Sequence, residues 1–505
     1  MPNEPAPRAG RREWIGLGVI ALPCLLYSMD LTVLDLAVPH LSAALRPTSS
    51  QLLWIVDIYG FVLAGMLIPM GTLGDRIGRR KLLLIGAAVF GAASVLAAFS
   101  RSAGELIATR AVLGIAGATV APSTLSLIRN MFLDARQRTT AISVWITSYS
   151  VGGAIGPILG GLLLDRFWWG SVFLIGVPVM LLLLVLGPLF LPEFRDPKAG
   201  RIDLVSAAES LAAVLLVIYG IKQFAQGNAE GLTVVSIVAG VAVGVLFVRR
   251  QRTLADPLID LGLFRIPSFS AALASYGIAT FAAFGVFLFI AQYLQAVLGL
   301  SPLLAGTCML PIFFAFTVGS FVSPPLARRV GRASLMGAGM VMAAAGLLLL
   351  AFVRVESGVA LVLVASLVYP LGLSPLFTLT TDMVVGSAPA ERAGAAAALS
   401  ETGSELGGAL GIALLGSIGT AAYRSAMASY MPAGLPNAVA AVARGTIGGA
   451  VGVAKGLPAA AAASLTHAAQ SAFVHSLNVT ALVGAVILVG AAIALLPGLR
   501  AVRST

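Results

Sequence analysis

The sequence predicts an all-α protein that crosses a membrane many times, and three observations support this fold class. Of its 505 residues, 58% are hydrophobic and only 10% are charged, and the mean hydropathy is +0.97. Soluble globular proteins average about 25% charged residues. The apolar residues fall into long runs separated by short polar joints, and each run is near or above the ~20 residues that a helix needs to cross the hydrocarbon core.

Fourteen such runs follow one another along the chain. Their approximate boundaries are 14–38, 51–71, 82–99, 104–128, 139–164, 168–191, 203–224, 231–248, 267–296, 302–326, 333–353, 357–386, 392–421 and 472–497. Polar tails over 1–13 and 498–505 flank them. The first run is too long for a secretory signal and ends without a site of the A-x-A kind, so we expect no cleaved leader.

The positive charges predict the orientation of these runs. With both termini in the cytoplasm, most of the 32 lysines and arginines fall in cytoplasmic segments, as the positive-inside rule requires. The external joints would hold Arg46, Arg101, Arg166, Lys222, Arg354, Arg424, Arg444 and Lys455. Because the basic residues are spread over short joints, the net charge of +11 indicates orientation in a bilayer rather than nucleic-acid binding.

The joint between the second and third runs combines glycines, an acid and a basic cluster. It reads Gly71-Thr-Leu-Gly74-Asp75-Arg76-Ile-Gly78-Arg79-Arg80-Lys81. We expect the three glycines to allow a tight turn and the close approach of another helix end, which a β-carbon would block. We expect the acid to lie just before the next helix, where the N-terminal dipole favours a carboxylate.

A second joint, Pro325-Leu-Ala-Arg328-Arg329-Val-Gly331-Arg332, is a degraded copy of the first without its acid. An internal repeat would place it there, which predicts two six-helix bundles, over 14–191 and 267–497. An inserted helix pair over 192–250 and a cytoplasmic interfacial linker over 251–266 would separate them. Residues 422–471 are the longest stretch that does not span, and we expect an external loop that holds a hairpin or a helix.

Ionisable residues inside apolar runs are costly and are therefore candidates for function. They are Asp30, Asp35, Asp57, Arg110, Glu401 and Glu405. A rise of ~1.5 Å per residue places the group in the outer half of a central cavity, with Glu401 near the midplane. Asp30 and Arg110 are expected to form an ion-paired switch. Asp35 and Asp57 lie close to the membrane surface, where a solvated helix end is the alternative.

Glu401 and Glu405 are one turn apart on the same face of the thirteenth run. Two ionised carboxylates would repel each other in a low dielectric, so we expect the pair to hold a proton when the site is empty. Such a pair can release a proton when a cation arrives. A purely structural role does not explain two acids on one face at this depth.

Small and aromatic residues complete the set of candidates. The fifth run contains Gly152, Gly156, Pro157, Gly160 and Gly161, a spacing that permits close helix contact and a local kink. Aromatic faces for cation–π contacts are available from Trp54, Tyr59, Trp145, Tyr149, Phe281, Phe284 and Phe287. Ordinary packing is the alternative for each aromatic residue.

These motifs resemble those of the major facilitator superfamily. The joint at 71–81 resembles its loop signature, a cytoplasmic latch that favours the outward-open state, and Gly152–Gly161 resembles its antiporter signature. Leu106-x-x-x-Arg110-x-x-x-Gly114-x-x-Gly117 is similar to the fourth-helix motif whose arginine is linked to proton transfer. With the first-helix acids and the glutamate pair, nearly the whole chain resembles the 14-span drug/proton antiporters, and most closely the quaternary-ammonium efflux pumps.

The resemblance implies the major facilitator fold, here two six-helix bundles plus two inserted helices. It further implies a monomer, surrounded by membrane lipids, that exports lipophilic cations in exchange for protons by alternating access. Quaternary ammonium biocides, dyes and bisbiguanides would be its substrates, and membrane carboxylates would recognise both cation and proton. Asp35 departs from the pattern, since many relatives have Asn at this position.

Other classes of protein lack support in the sequence. His40, His467 and His475 show no ligand spacing, Cys24 and Cys308 lie in apolar runs, and we expect no metal, no cofactor and no enzymatic activity. No G-x-x-x-x-G-K-[ST] phosphate loop is present, so an ion gradient, of protons rather than sodium, would drive transport. An exporter of a neutral or lipid-like metabolite remains the alternative, although the excess of acids favours cationic cargo.

Overall fold

The computed structural model describes residues 8–195, 203–225, 231–254, 257–259, 261–387 and 393–500. Within these ranges, fourteen segments are helical, long and apolar enough to cross a membrane. The predicted fold class, an all-α polytopic membrane protein with fourteen spans, is therefore confirmed. The C-terminal tail from 501, most of the N-terminal tail (1–7) and residues 196–202 and 226–230 of the predicted inserted pair lie outside the described residues.

A first bundle contains eight helices that form six spans, because α4 with α5 and α7 with α8 each make one broken span. Its helices are α1 (Arg11–Leu45), α2 (Ser49–Ile77), α3 (Arg79–Ala98), α4 (Ala103–Gly117), α5 (Val120–Met131), α6 (Ala135–Arg166), α7 (Ser171–Leu174) and α8 (Gly176–Phe190). Next come α9 (Leu204–Ala225) and α10 (Gly231–Thr253), which pack on each other.

The second bundle follows a short 3₁₀ turn at Leu263–Arg265. Its helices are α11 (Pro267–Gln292), α12 (Pro302–Cys308), α13 (Leu310–Val330), α14 (Arg332–Ala351), α15 (Ala360–Ser387), α16 (Ala393–Tyr430), α17 (Asn437–Gly445), α18 (Ile447–Ala454) and α19 (Ala459–Arg500). A π turn, Tyr293–Val297, extends α11. Within the linker predicted over 251–266, α10 continues to Thr253 and the Leu263 side chain is buried in the second bundle, while residues 255, 256 and 260 lie outside the described residues. The interfacial position of this linker stays a prediction.

Polar residues set where several helices begin. The Thr48 hydroxyl accepts a hydrogen bond from the Gln51 backbone N–H, and the Gln51 side chain accepts one from the Thr48 N–H in return. This capping box satisfies two donors that the first turn of α2 cannot pair internally. Asp134 caps α6 in a similar way by accepting from the Gln137 N–H at 2.9 Å.

The two bundles meet along two main seams, α2 against α16 and α6 against α12. Helix α9 contacts both α2 and α16, so the inserted pair lies along the first of these seams. Ile218 of α9 is buried there with Phe61 of α2 and with Ala409 and Ala413 of α16. The seam between the bundles is therefore a three-helix contact on this side of the molecule.

The joint after α2 differs from the prediction in its turn. Helix α2 continues through Gly71 and Gly74 and ends at Ile77, and the chain reverses at Gly78, whose φ is +115°. That backbone region favours glycine strongly. Asp75 therefore lies in the last turn of α2 rather than before α3.

A different acid occupies the N-terminus of α3. The carboxylate of Glu193, which follows α8, accepts hydrogen bonds from the backbone N–H groups of Arg80 at 3.1 Å and Lys81 at 3.2 Å. A β-carbon on Gly78 would overlap this carboxylate. The dipole contact that the sequence assigns to Asp75 is thus made by Glu193.

The second-bundle copy of this joint has the same backbone plan. Helix α13 ends at Val330, Gly331 follows with a φ of +86°, and α14 begins at Arg332. Apart from its chain neighbours, no atom of the described residues lies within 4 Å of the position where a β-carbon on Gly331 would stand. The repeat predicted from the sequence therefore extends to the local geometry of the turn.

The predicted external loop over 422–471 is shorter in the structure, because α16 continues to Tyr430 and α19 already begins at Ala459. The joint between them holds α17 and α18, and α18 packs on α1. The Ser49 hydroxyl at the start of α2 donates to the Gly445 carbonyl, and the Tyr423 hydroxyl donates to the Ala443 carbonyl at 3.0 Å. The two short helices thus cover the end of the molecule where α1 finishes and α2 begins, which we call the outer end.

Candidate functional site

A small cavity lies between the two bundles. Its volume is about 30 Å³. Its polar or charged lining residues are Asp35 of α1, Asp57 of α2, Arg110 of α4 and Ser404 and Glu405 of α16. One buried water needs roughly 10–15 Å³ on the same measure, so the cavity holds about two waters in this conformation. A drug-sized molecule does not fit without movement of the helices.

Asp30 and Arg110 form a buried ion pair within the first bundle. The Arg110 Nη1 lies 2.5 Å from Oδ2 of Asp30, and its Nε donates a hydrogen bond to the Ile55 carbonyl. The guanidinium also lies 4.6 Å from the centroid of the Tyr59 ring. Both charged side chains are almost wholly withdrawn from solvent, at 1% and 8% exposed, so each compensates the other where water cannot.

Asp57 forms a second buried ion pair. Its partner is Lys222, one of the basic residues expected in an external joint. Lys222 lies inside α9, and its Nζ is 2.7 Å from Oδ2 of Asp57, with both side chains 0% exposed. The same ammonium lies 3.7 Å from the centroid of the Trp54 ring. Neither Asp57 nor Lys222 is therefore a solvated helix end.

Asp35 is buried as well, which excludes a solvated helix end for this acid. Its Oδ1 has no hydrogen-bond partner among the described residues, and it lines the same cavity as Arg110. An unpaired carboxylate oxygen in apolar surroundings is unfavourable, and a proton or a cation relieves the cost.

The glutamate pair of α16 is divided between two environments. Glu405 lines the cavity, and its Oε1 accepts a hydrogen bond of 2.6 Å from the hydroxyl of Tyr27 on α1. Glu401 is exposed and is not among the residues that line the cavity.

The candidate aromatic residues are only partly gathered at the site. Trp145, Tyr149, Tyr27 and Tyr59 form a continuous chain of ring contacts, with centroids 4.9, 5.4 and 6.4 Å apart in turn. Of the other aromatic candidates, Phe284 lines the cavity and Trp54 contacts Lys222. Phe287 packs on Phe313, and Phe281 presents its backbone carbonyl to Gly411, so neither of these two residues lines the cavity.

The glycine motif of α6 faces two different helices. Gly152, Gly156 and Gly160 face α1, where added β-carbons would overlap atoms of Leu25, Thr32 and Val33 respectively. Gly161 faces the backbone of Pro302 and Leu303 at the start of α12, in the other bundle. Pro157 presents its carbonyl to Gly306 of the same helix. The motif therefore joins α1 to α6 and also the first bundle to the second.

The bundles are in close contact at the outer end. The side-chain amide of Gln295 donates to the Leu36 carbonyl at 3.0 Å, and a β-carbon on Gly416 would overlap the Leu53 side chain. Together with the contacts of Gly161, these interactions place α1, α2 and α6 against α11, α12 and α16. The outer end is closed over the cavity in this conformation.

The basic joint makes its described contacts within the first bundle. The Arg79 guanidinium pairs with Asp75 and donates to the Pro122 carbonyl of α5 at 3.2 Å, while Arg76 is exposed. The role of a latch between the bundles stays a prediction.

Two residues of the site were missed in the sequence. Lys222 lies within the apolar run 203–224, and a lysine inside such a run is itself the signal for an intramembrane charge. Its proximity to Asp57 depends on how α9 packs against α2, which periodicity does not show. Tyr27 carries no signal of its own, because aromatic residues are common in membrane helices.

Comparisons with known proteins agree with this architecture. The Major Facilitator Superfamily description matches residues 20–412. The chain is 43% identical over 485 residues to the multidrug efflux pump LfrA of Mycolicibacterium smegmatis, covering 96% of each protein. It is 37% identical over 474 residues to the methyl viologen resistance protein SmvA of Salmonella typhimurium, covering 93% of this chain and 94% of that one.

A solved structure shows the same fold at low sequence identity. A bacterial homologue of the human lysosomal transporter Spinster, in an inward-facing and unoccupied conformation, superposes with a TM-score of 0.66 at 18% identity. The match covers 97% of this chain and 99% of the other. With the family match over most of its length and relatives that are transporters, the chain belongs to the Major Facilitator Superfamily and is a transporter rather than an enzyme.

Proposed function

We propose that this protein is a multidrug efflux antiporter that exports lipophilic organic cations in exchange for protons. The observation that carries the proposal is the distribution of charge around the cavity. Asp30 and Asp57 each have a basic partner, whereas the described residues form no ion pair with Asp35 or Glu405, both of which line the cavity. The site therefore offers two acids to an incoming positive charge.

Exchange follows from competition for these acids. A carboxylate in an apolar cavity is costly when it is ionised and unpaired, so it binds a proton when no other cation is present. An organic cation that enters the cavity supplies the compensating charge and releases that proton. Because each acid satisfies one partner at a time, export of the cation and uptake of the proton become two halves of one cycle.

The relatives support a positively charged cargo. LfrA is named a multidrug efflux pump, and SmvA is named for resistance to methyl viologen, a compound that carries two positive charges. Two acids without basic partners suit a dication, and the ring chain from Trp145 to Tyr59 adds aromatic faces for which organic cations have affinity. Quaternary ammonium compounds are the simplest members of this class.

Alternating access accounts for the closed outer end. The described contacts between bundles include those of Gly161, Gln295 and Gly416 near the outer end, and the cavity beneath them holds about two waters. Cargo must therefore reach the acids through a rearrangement of the bundles rather than through an open channel. Orientation in the cytoplasmic membrane, with both termini inside, would make this state closed to the outside.

Inverted membrane vesicles with an acid interior test the proposal. Addition of tetraphenylphosphonium, a quaternary ammonium compound or methyl viologen should release protons from the vesicles, as reported by a pH-sensitive dye. Vesicles without the protein serve as the control. If a folded protein releases no protons with any of these cations, cation/proton exchange is wrong, and the export of a neutral or lipid-like metabolite becomes the better hypothesis.

A further inference from the structure

The buried lysine of α9 occupies a position that resembles a bound substrate more than a structural residue. Its ammonium lies 2.7 and 2.8 Å from the two carboxylate oxygens of Asp57 and 3.7 Å from the centroid of the Trp54 ring. A carboxylate beside an indole face is the pair of groups that binds an organic cation. Lys222 already satisfies both of them.

The ammonium of Lys222 comes from α9, a helix of the inserted pair. Helix α9 packs along the seam where α2 of the first bundle meets α16 of the second. Its Ile218, one turn before Lys222, is buried there with Phe61 and Ala409. The lysine side chain therefore reaches Asp57, a lining residue of the central cavity, from the side of the seam.

Stability alone does not explain this pair. Burying an ammonium and a carboxylate costs desolvation that their attraction only roughly repays, and apolar residues of similar size stabilise a protein equally well. The arrangement does, however, keep Asp57 neutralised whenever the cavity holds no cargo. It also gives the acid a partner that can be exchanged for another cation.

We infer that Trp54 and Asp57 form a cation-binding subsite and that Lys222 fills it as a tethered competitor, which an organic cation displaces during transport. The inference rests on the proposed function. Lys222 then sets how tightly a cation must bind in order to be exported, because every cargo pays for the displacement of the ammonium. A monovalent cation with an aromatic surface matches the subsite in charge and in contact surface.

Binding of tetraphenylphosphonium to the purified full chain in lipid nanodiscs tests the inference, with isothermal titration calorimetry as the measurement. Lys222→Met removes the competitor but keeps the length of the side chain, so the Kd should fall about tenfold. Lys222→Arg retains a competing cation and should bind no more tightly than the wild type. Lys455→Met, which removes an exposed lysine, is the matched control and should leave the Kd unchanged.

The outcomes separate this inference from the proposed function. If the wild type binds the cation and Lys222→Met binds it equally or more weakly, the tethered competitor is wrong while cation transport stands. If the wild type binds no cation, the proposed function fails and the inference fails with it.

A measurement on the wild type covers the case in which Lys222→Met does not fold. The chain has four lysines, Lys81, Lys198, Lys222 and Lys455, so ¹⁵Nζ-lysine labelling gives few resonances, and Lys222→Arg identifies the relevant one. Saturating tetraphenylphosphonium should shift the Lys222 resonance and leave that of Lys455 in place. An unshifted Lys222 resonance at saturation would overturn the inference.

Discussion

The hydroxyl of Tyr27 on α1 donates a hydrogen bond of 2.6 Å to the carboxylate of Glu405 on α16, so the bond joins the two bundles at the cavity. A hydrogen bond to a charged group contributes about 1.5–3 kcal/mol. Its loss in Tyr27→Phe should lower kcat/KM for cation export roughly tenfold. Transport assays in vesicles check this, with Tyr430→Phe at an exposed tyrosine as the control. An unchanged kcat/KM would show that the bond does not contribute.

The buried pair of Asp30 and Arg110 should be coupled in stability. Arg110→Ala leaves the Asp30 carboxylate buried without its partner, which typically costs about 3–5 kcal/mol, so the thermal unfolding midpoint should fall sharply. The double variant Asp30→Asn/Arg110→Gln removes both charges and should recover much of that loss. Additive losses in the double variant would show that the two residues do not stabilise each other. Asp30→Asn with intact proton coupling would remove this acid from the mechanism.

Contact between α6 and α12 should control closure of the outer end. Gly161→Val places a side chain against the backbone of Leu303, so export should fall at least about tenfold because the bundles cannot approach. A thiol at Leu53→Cys, introduced with Cys24 and Cys308 replaced by alanine, should also react faster with a membrane-impermeant reagent. Gly18→Val is the control, since beyond its chain neighbours and its own helical backbone no atom in the described part of the chain lies within 4 Å of an added β-carbon. Equal thiol reactivity in both variants would contradict this role for the contact.

The two glycine turns allow backbone strain to be separated from the contact with Glu193. Gly331→Ala meets only the strain of a positive φ, for which about 1–3 kcal/mol is typical, whereas Gly78→Ala also displaces the Glu193 carboxylate from the N-terminus of α3. The unfolding midpoint should therefore fall further in Gly78→Ala. Equal decreases would mean that Glu193 contributes nothing measurable at this joint.

Hydropathy predicted the fourteen spans because each helix needs about twenty apolar residues, whatever it packs against. The cost of intramembrane charge likewise identified Asp35 and Glu405, which the structure brings to one cavity. The partner of Asp57 could not be assigned in this way, because the contact of α9 with α2 depends on tertiary packing. A lysine near a helix end ordinarily extends towards water, and only the fold shows that Lys222 does not.

The sequence could not predict, for a similar reason, that only one glutamate of the pair lines the cavity. Helical periodicity places Glu401 and Glu405 on one face, but it does not show where the cavity ends along that face. The structure places Glu405 at the cavity, whereas Glu401 is exposed and does not line it. The sequence therefore predicts which residues carry charge, whereas the packing of the bundles decides which of them meet.

Cation-dependent proton release in inverted vesicles, compared between Glu405→Gln and Glu356→Gln, tests exchange at the cavity most directly. Glu356 is an exposed glutamate in a turn outside the cavity, so its variant should release protons as the wild type does. Glu405→Gln should release at most about a tenth as many per cation added, because the amide cannot carry the proton. Undiminished release in a folded Glu405→Gln protein would contradict exchange at this acid.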